Sequence, residues 1–174
     1  RLEPRLPDRE APKRFVEPRP LPLRPDMGRL EIIERLEALR PQNVVVDLAF
    51  YAFRDLSRTD WRPFMKAALE RSPVSIAGAA AWSEEEVEAR LRSWPEESIY
   101  DGPRAAQPDE VWNYRRGDGF EKAVCLANVL QARHPAAAIS IRAEGTEVNL
   151  RAGEHTSVWR SAKGLRGEWR SPGS

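Results

Sequence analysis

The sequence predicts an α+β domain in which helices come first and a small antiparallel sheet then packs on one buried central helix. Three observations carry this. Apolar residues recur at helical spacing in successive segments up to Arg133. From Ala138 the pattern becomes alternating, with Ile139 and Ile141 on one face and Val148 and Leu150 matching them. Between the two regimes, Ala123, Val124, Leu126, Ala127, Val129 and Leu130 cover more than one helical face, so that helix is expected to be buried.

Length and composition set the bounds. The 174 residues suffice for one domain with a proper core. An apolar fraction of 41% and a charged fraction of 32% fit such a domain carrying a polar tail. The net charge of +1 gives no global field for nucleic acid or an anionic membrane. The single cysteine, Cys125, excludes an internal disulfide. No apolar run approaches the roughly 20 residues of a spanning helix, and no signal peptide is visible. A soluble chain is expected, with a cytoplasmic location favoured; beginning at Arg1, it also reads as a processed piece.

In chain order, residues 1–26 repeat proline every few positions among charges of both signs, which predicts an extended arm or linker. Phe15, Val16, Leu21 and Leu23 are its apolar anchors, through which it could dock on a partner or link copies of the chain. Residues 27–174 are read as the domain proper. Leu30, Ile33, Leu36 and Leu39 predict a helix over 28–40, with Asp26 as its cap and Pro41 as its stop. Asn43–Phe53 is the most β-prone run, led by three valines, with a helix from Asp47 onward as the alternative. Thr59-Asp60 opens a helix through Arg71 with Trp61, Phe64, Met65 and Leu69 inward. Ser83 followed by three glutamates starts another, whose buried stripe is Val87, Leu91 and Trp94. Those glutamates diverge by about 100° each and cannot converge on a metal ion. Residues 98–107 read as a loop, and Pro108 begins a short helix through Trp112 and Tyr114. After the central helix come four short strands at about 138–143, 146–151, 155–161 and 165–170.

The central helix holds the functional question. Gly117-Asp118-Gly119 is a tight turn, and Asp118 is a good N-cap for the helix that runs to His134 before Pro135. PDEVWNYRRGDG, Pro108 to Gly119, is followed by the small-apolar run EKAVCLANVLQAR and then by HTSVWRSAKGLRGEW, His155 to Trp169. Taken together, residues 107–172 resemble the transglutaminase-like core of the papain-like cysteine enzymes. In that family a Gly-Asp-Cys turn starts the helix, and a His and then an Asp follow on strands. The resemblance places the nucleophile at Gly119, the imidazole at His155 and the orienting carboxylate near Ser171. Asp118, Trp112 and Trp159 would line the groove or its turn. Glycine has no nucleophile and serine no carboxylate, so the resemblance implies a degenerate member without catalytic residues. Such a domain would act by binding, assembly or structural support, with a protein partner and no cofactor or metal.

The alternative is a peptidase or amide-acyl transferase using Cys125 or an unrecognised nucleophile. Six residues past Gly119, Cys125 lies about 9 Å along the helix, which places it away from the same groove. Two histidines without further cysteines do not make a zinc site. Ser157 beside His155 lacks triad geometry. Gly117-Asp118-Gly119 with Lys122 lacks the glycine loop and leading strand of a phosphate site. Arg115-Arg116 beside Tyr114 is too local a basic patch to specify nucleic acid.

Overall fold

The computed structural model describes residues 20–171. The chain divides into two units with the boundary after Ala38, inside the stretch that the sequence assigns to one domain. In the first unit, residues 20–23 carry no regular structure and a turn closes from Met27 N to Arg24 O at 3.2 Å. Helix α1 (Arg29–Leu39) follows and buries no residue. Asp26 does not cap it, because its carboxylate is taken by the Arg24 guanidinium at 3.1 Å. Of the arm's expected anchors, Leu21 and Leu23 are exposed, while Phe15 and Val16 lie outside the described residues.

The second unit has the expected α+β architecture. A 3-10 turn (Arg40–Gln42) leads into α2 (Val44–Phe53), α3 (Trp61–Glu70), α4 (Pro73–Ala79), α5 (Glu84–Ser93), α6 (Pro108–Tyr114) and α7 (Gly119–Arg133). Four strands close it: β1 (Ile139–Glu144), β2 (Glu147–Ala152), β3 (His155–Arg160) and β4 (Arg166–Arg170). They form one antiparallel sheet in the order β3-β2-β1-β4.

The valine run is the clearest correction. Asn43–Phe53 is not a strand, because Asn43 caps a helix there by accepting from the N–H groups of Val45 and Val46. Only Val46 and Phe50 turn inward, and Val44 and Val45 remain more than 60% exposed. Arg40 fixes the outer face through Asp47 at 3.0 Å. The local cap overrides the β-propensity, which reflects packing on a pleated surface that this segment does not have. Helix α4, which the sequence reading did not assign, opens on Ser72 and Pro73 but receives no cap bond from the Ser72 side chain. Its cap comes from α6, where Asp109 accepts from the N–H groups of Val74 and Ser75 at 3.0 and 2.8 Å. Trp94 lies past the end of α5 and is only half-buried, packed edge-on to Trp112 at 5.4 Å.

Helix α7 is the core. All residues from Gly119 to Leu130 are buried. One side meets the inward residues of the sheet, among them Ile141, Val148, Leu150 and Trp159, and the other meets α3 to α6. Phe120 takes Trp61 of α3 edge-on at 5.2 Å. Each buried leucine here contributes on the order of 1.5–3 kcal/mol.

Candidate functional site

The start of α7 is where a cysteine enzyme of this pattern would do its chemistry. It is occupied by a buried network of charges. Asp118 caps the helix, accepting from Phe120 N at 2.9 Å, and Glu121 reaches back to Asp118 N at 2.8 Å. Asp118 also accepts from Ser161 Oγ at 2.6 Å and Ala162 N at 2.7 Å, which ties the helix to the turn after β3. The other oxygen of Glu121 accepts from Ser98 Oγ at 2.6 Å and Ala106 N at 2.8 Å. Lys163 Nζ stands 3.1 Å from it, with the carbonyls of Tyr100, Gly102 and Arg104 around the same ammonium. Removing these two charges from water is costly, and each hydrogen bond offsets part of that cost. The network therefore fastens two separate segments, the loop at 98–106 and the turn at 161–163, to one helix end.

Gly119 sits inside this closure. A Cβ built there would lie 1.8 Å from the carbonyl oxygen of Arg160 and 2.6 Å from its carbon. Both belong to backbone, so neither can swing away. Any side chain at position 119, a nucleophile included, would require the start of α7 or the end of β3 to move.

The three positions that the resemblance aligns do not come together, and this corrects the expectation of a common groove. Gly119 meets Arg160 at the end of β3, whereas His155 opens the same strand five residues earlier, about 16 Å away at strand rise. Its Nε2 is 3.2 Å from Glu88 Oε2, inside ion-pair range but without hydrogen-bond alignment. Ser171 follows β4 and pairs with Ile139, N to O at 2.8 Å. Ile139 is opposite Ala152, and Ala152 is opposite His155. His155 and Ser171 thus end one row at opposite edges of the sheet, three strand spacings or about 14 Å apart.

The groove residues are also dispersed. Asp118 is spent on the network. Trp159 is buried, its Nε1 donating to Ser157 Oγ at 2.9 Å, with Arg92 of α5 stacked 4.1 Å over the ring. Trp112 lies between Trp82 and Trp94 and forms part of a shallow cleft of about 620 Å³ with α4. Gly78 makes room for it, since a Cβ there would be 2.2 Å from the indole nitrogen.

Cys125 lies within α7. It is fully buried, with Sγ 3.7 Å from Pro108 O, and burial, helped by the charge of Asp109, raises its thiol far above the usual cysteine range. Lys122 does not form a phosphate turn, because its ammonium is held by Trp94 O and Glu96, both at 2.7 Å. No group of His, Cys, Asp or Glu among the described residues could hold a metal ion, and no helix among them is long and apolar enough to cross a membrane.

Sequence reasoning missed Glu121 and Lys163. Glu121 was visible as the third residue after the Asp118 cap, but nothing near Lys163 marks it as a buried partner. It missed a second ionic cluster as well. Arg54 grips Glu110 at 2.6 and 3.2 Å and the Tyr100 hydroxyl at 2.6 Å, joining the end of α2 to α6. It also missed two clefts of about 280 and 540 Å³ that flank β4 and share Arg62 and Trp169.

No family model, no curated protein and no solved structure matches this chain.

Proposed function

We propose that this chain is a non-catalytic α+β domain that works by binding or by structural support within a larger assembly. The observation that carries the reading is the Arg160 carbonyl in the space that a side chain at position 119 would need. The buried thiol of Cys125, the separation of His155 from the helix start and the consumption of Asp118 in a closed network support it further. The likeness to a transglutaminase-like core rests on the motif from Pro108 to Trp169, and a degenerate member of that family is the ancestry we propose for it. The partner is a protein, since neither net charge nor any metal cluster among the described residues favours another class.

The test is alkylation of the folded protein with iodoacetamide at neutral pH, read by intact mass, beside hydrolysis of amide and ester substrates. The native protein should stay unmodified over hours and take one adduct only in denaturant, with no turnover. Rapid native labelling or a turnover that disappears with Cys125→Ser would overturn the reading.

A further inference from the structure

The sheet has two edges, and they are treated differently. In an antiparallel ladder the backbone groups of alternate residues point toward the neighbour and away from it. On β3, Ser161 N donates to Thr146 O, so the groups of Thr156, Val158 and Arg160 point outward. That edge is taken up in part: Val158 O accepts from Arg92 at 3.0 Å, and Arg160 O is packed on Gly119.

On β4, Gly145 N donates to Leu165 O and Ser171 N to Ile139 O, so Gly167 and Trp169 face β1. The N–H and C=O groups of Arg166, Glu168 and Arg170 point out of the sheet, and no hydrogen bond among the described residues reaches them. Charged edge residues are a common defence against strand pairing, which alone would account for these three side chains. It does not account for the clefts of about 280 and 540 Å³ that run beside this edge, with α3 as the far wall.

We propose that the β4 edge takes up an extended peptide from a partner protein as a fifth strand, with an acidic–x–basic–x–acidic pattern. Side chains of Arg166, Glu168 and Arg170 share the solvent face of the sheet, so acidic, basic and acidic residues opposite them complement each in turn. The two intervening side chains point to the other face and enter the clefts beside Trp169, where Leu69 makes an apolar occupant suitable. A second copy matches at most two of the three, because two-fold pairing centred on Glu168 sets it against itself and Arg166 against Arg170, while pairing centred on Gly167 or Trp169 leaves one arginine with no acidic residue opposite. The chain contains no acidic–x–basic–x–acidic run of its own. The inference deepens the binding reading above and rests on it.

The probe is the peptide Thr-Glu-Leu-Lys-Leu-Glu-Thr, titrated into the full chain and followed by amide chemical shifts. Saturable shifts are expected at Arg166, Glu168 and Arg170. Glu168→Pro removes an outward N–H and leaves the β1 ladder intact, so the variant should fold as before and bind about tenfold more weakly or worse. Glu168→Gln, which keeps that N–H, should bind more tightly than the proline variant. A peptide with the charges exchanged should lose about tenfold. No saturable shift at β4, equal binding of the exchanged peptide, or full binding by Glu168→Pro would overturn the proposal. So would self-association of the chain that Glu168→Pro abolishes, which would make a second copy the occupant. A failed titration with Cys125 still inert removes only the β4 site, whereas rapid alkylation removes the non-catalytic reading itself.

Discussion

Replacing Gly119 with alanine adds one methyl group, and its cost can be worked from the geometry. A Cβ 1.8 Å from the Arg160 oxygen must retreat by more than 1 Å to reach even the shortest real contact, about 3.0 Å. Because the obstacle is backbone, either the start of α7 or the end of β3 has to move. Overpacking of this kind costs about 1–3 kcal/mol. The shift also strains the bonds from Ser161 Oγ and Ala162 N to Asp118, each a hydrogen bond to a charged group worth about 1.5–3 kcal/mol. Better helix propensity returns at most about 1 kcal/mol. The net expectation is a loss of about 3–6 kcal/mol, a large share of the 5–15 kcal/mol that holds a typical domain. Urea unfolding followed by tryptophan fluorescence measures it. Gly117→Ala is the control, since its Cβ would meet side-chain atoms alone, the Val111 methyl groups at 3.2 and 3.3 Å and Glu121 Oε2 at 3.4 Å. A Gly119→Ala protein within about 1 kcal/mol of the parent would mean that this junction is slack, and the argument against a side chain at 119 would fail.

The remaining predictions concern the ionic clusters. Lys163→Met leaves Glu121 buried without its cation and should cost about 3–5 kcal/mol in denaturant unfolding. Adding Glu121→Gln to that variant should recover part of the loss, and strict additivity of the two changes would argue against direct coupling. For Glu110, burial pushes the carboxyl pKa up, but hydrogen bonds from Arg54, Gln107 N and Tyr100 outweigh it and hold the group below its ordinary value. A depressed carboxyl contributes stability that is present above the unfolded pKa of about 4.3 and disappears as the pH falls through the folded value. Melting temperature should therefore fall more steeply below about pH 4.3 in the parent than in Glu110→Gln, and parallel curves would refute the assignment.

The parts of the fold legible in the sequence are those whose signals are local. Asp118 with Glu121 marks the start of α7, the glutamates after Ser83 mark α5, and alternation of Ile139, Ile141, Val148 and Leu150 marks the sheet. What was not legible depends on distant partners or on a local cap that outweighs residue propensity. Helix α4 needs Asp109, and the valine run became α2 through Asn43 and the absence of a strand to pair with. At the candidate site, the motif puts His155 on the strand that meets Gly119 but at its far end, because each residue of a strand advances about 3.3 Å. Lys163 gave no signal because its function depends on a carboxylate on another element.

Restoring a cysteine at position 119 would not restore an active site, and the reason lies in the backbone donors as much as in the missing space. A helix start stabilises an oxyanion only with N–H groups left unpaired. Here the N–H groups of Phe120 and Glu121 go to the Asp118 carboxylate, and that of Lys122 goes to Asp118 O at 2.9 Å. Even with the Arg160 carbonyl displaced, the thiol would have no imidazole within reach, since His155 is five residues along β3 and held beside Glu88. It would also face a carboxylate cap in place of a positive helix end. Gly119→Cys should accordingly unfold at lower denaturant than Gly119→Ala, the added sulfur enlarging the same clash, and should show no hydrolysis of activated esters above Cys125→Ser. Turnover by the cysteine variant that depends on His155 would mean that the strand end and the helix start approach each other in solution, and the non-catalytic reading would then have to be given up.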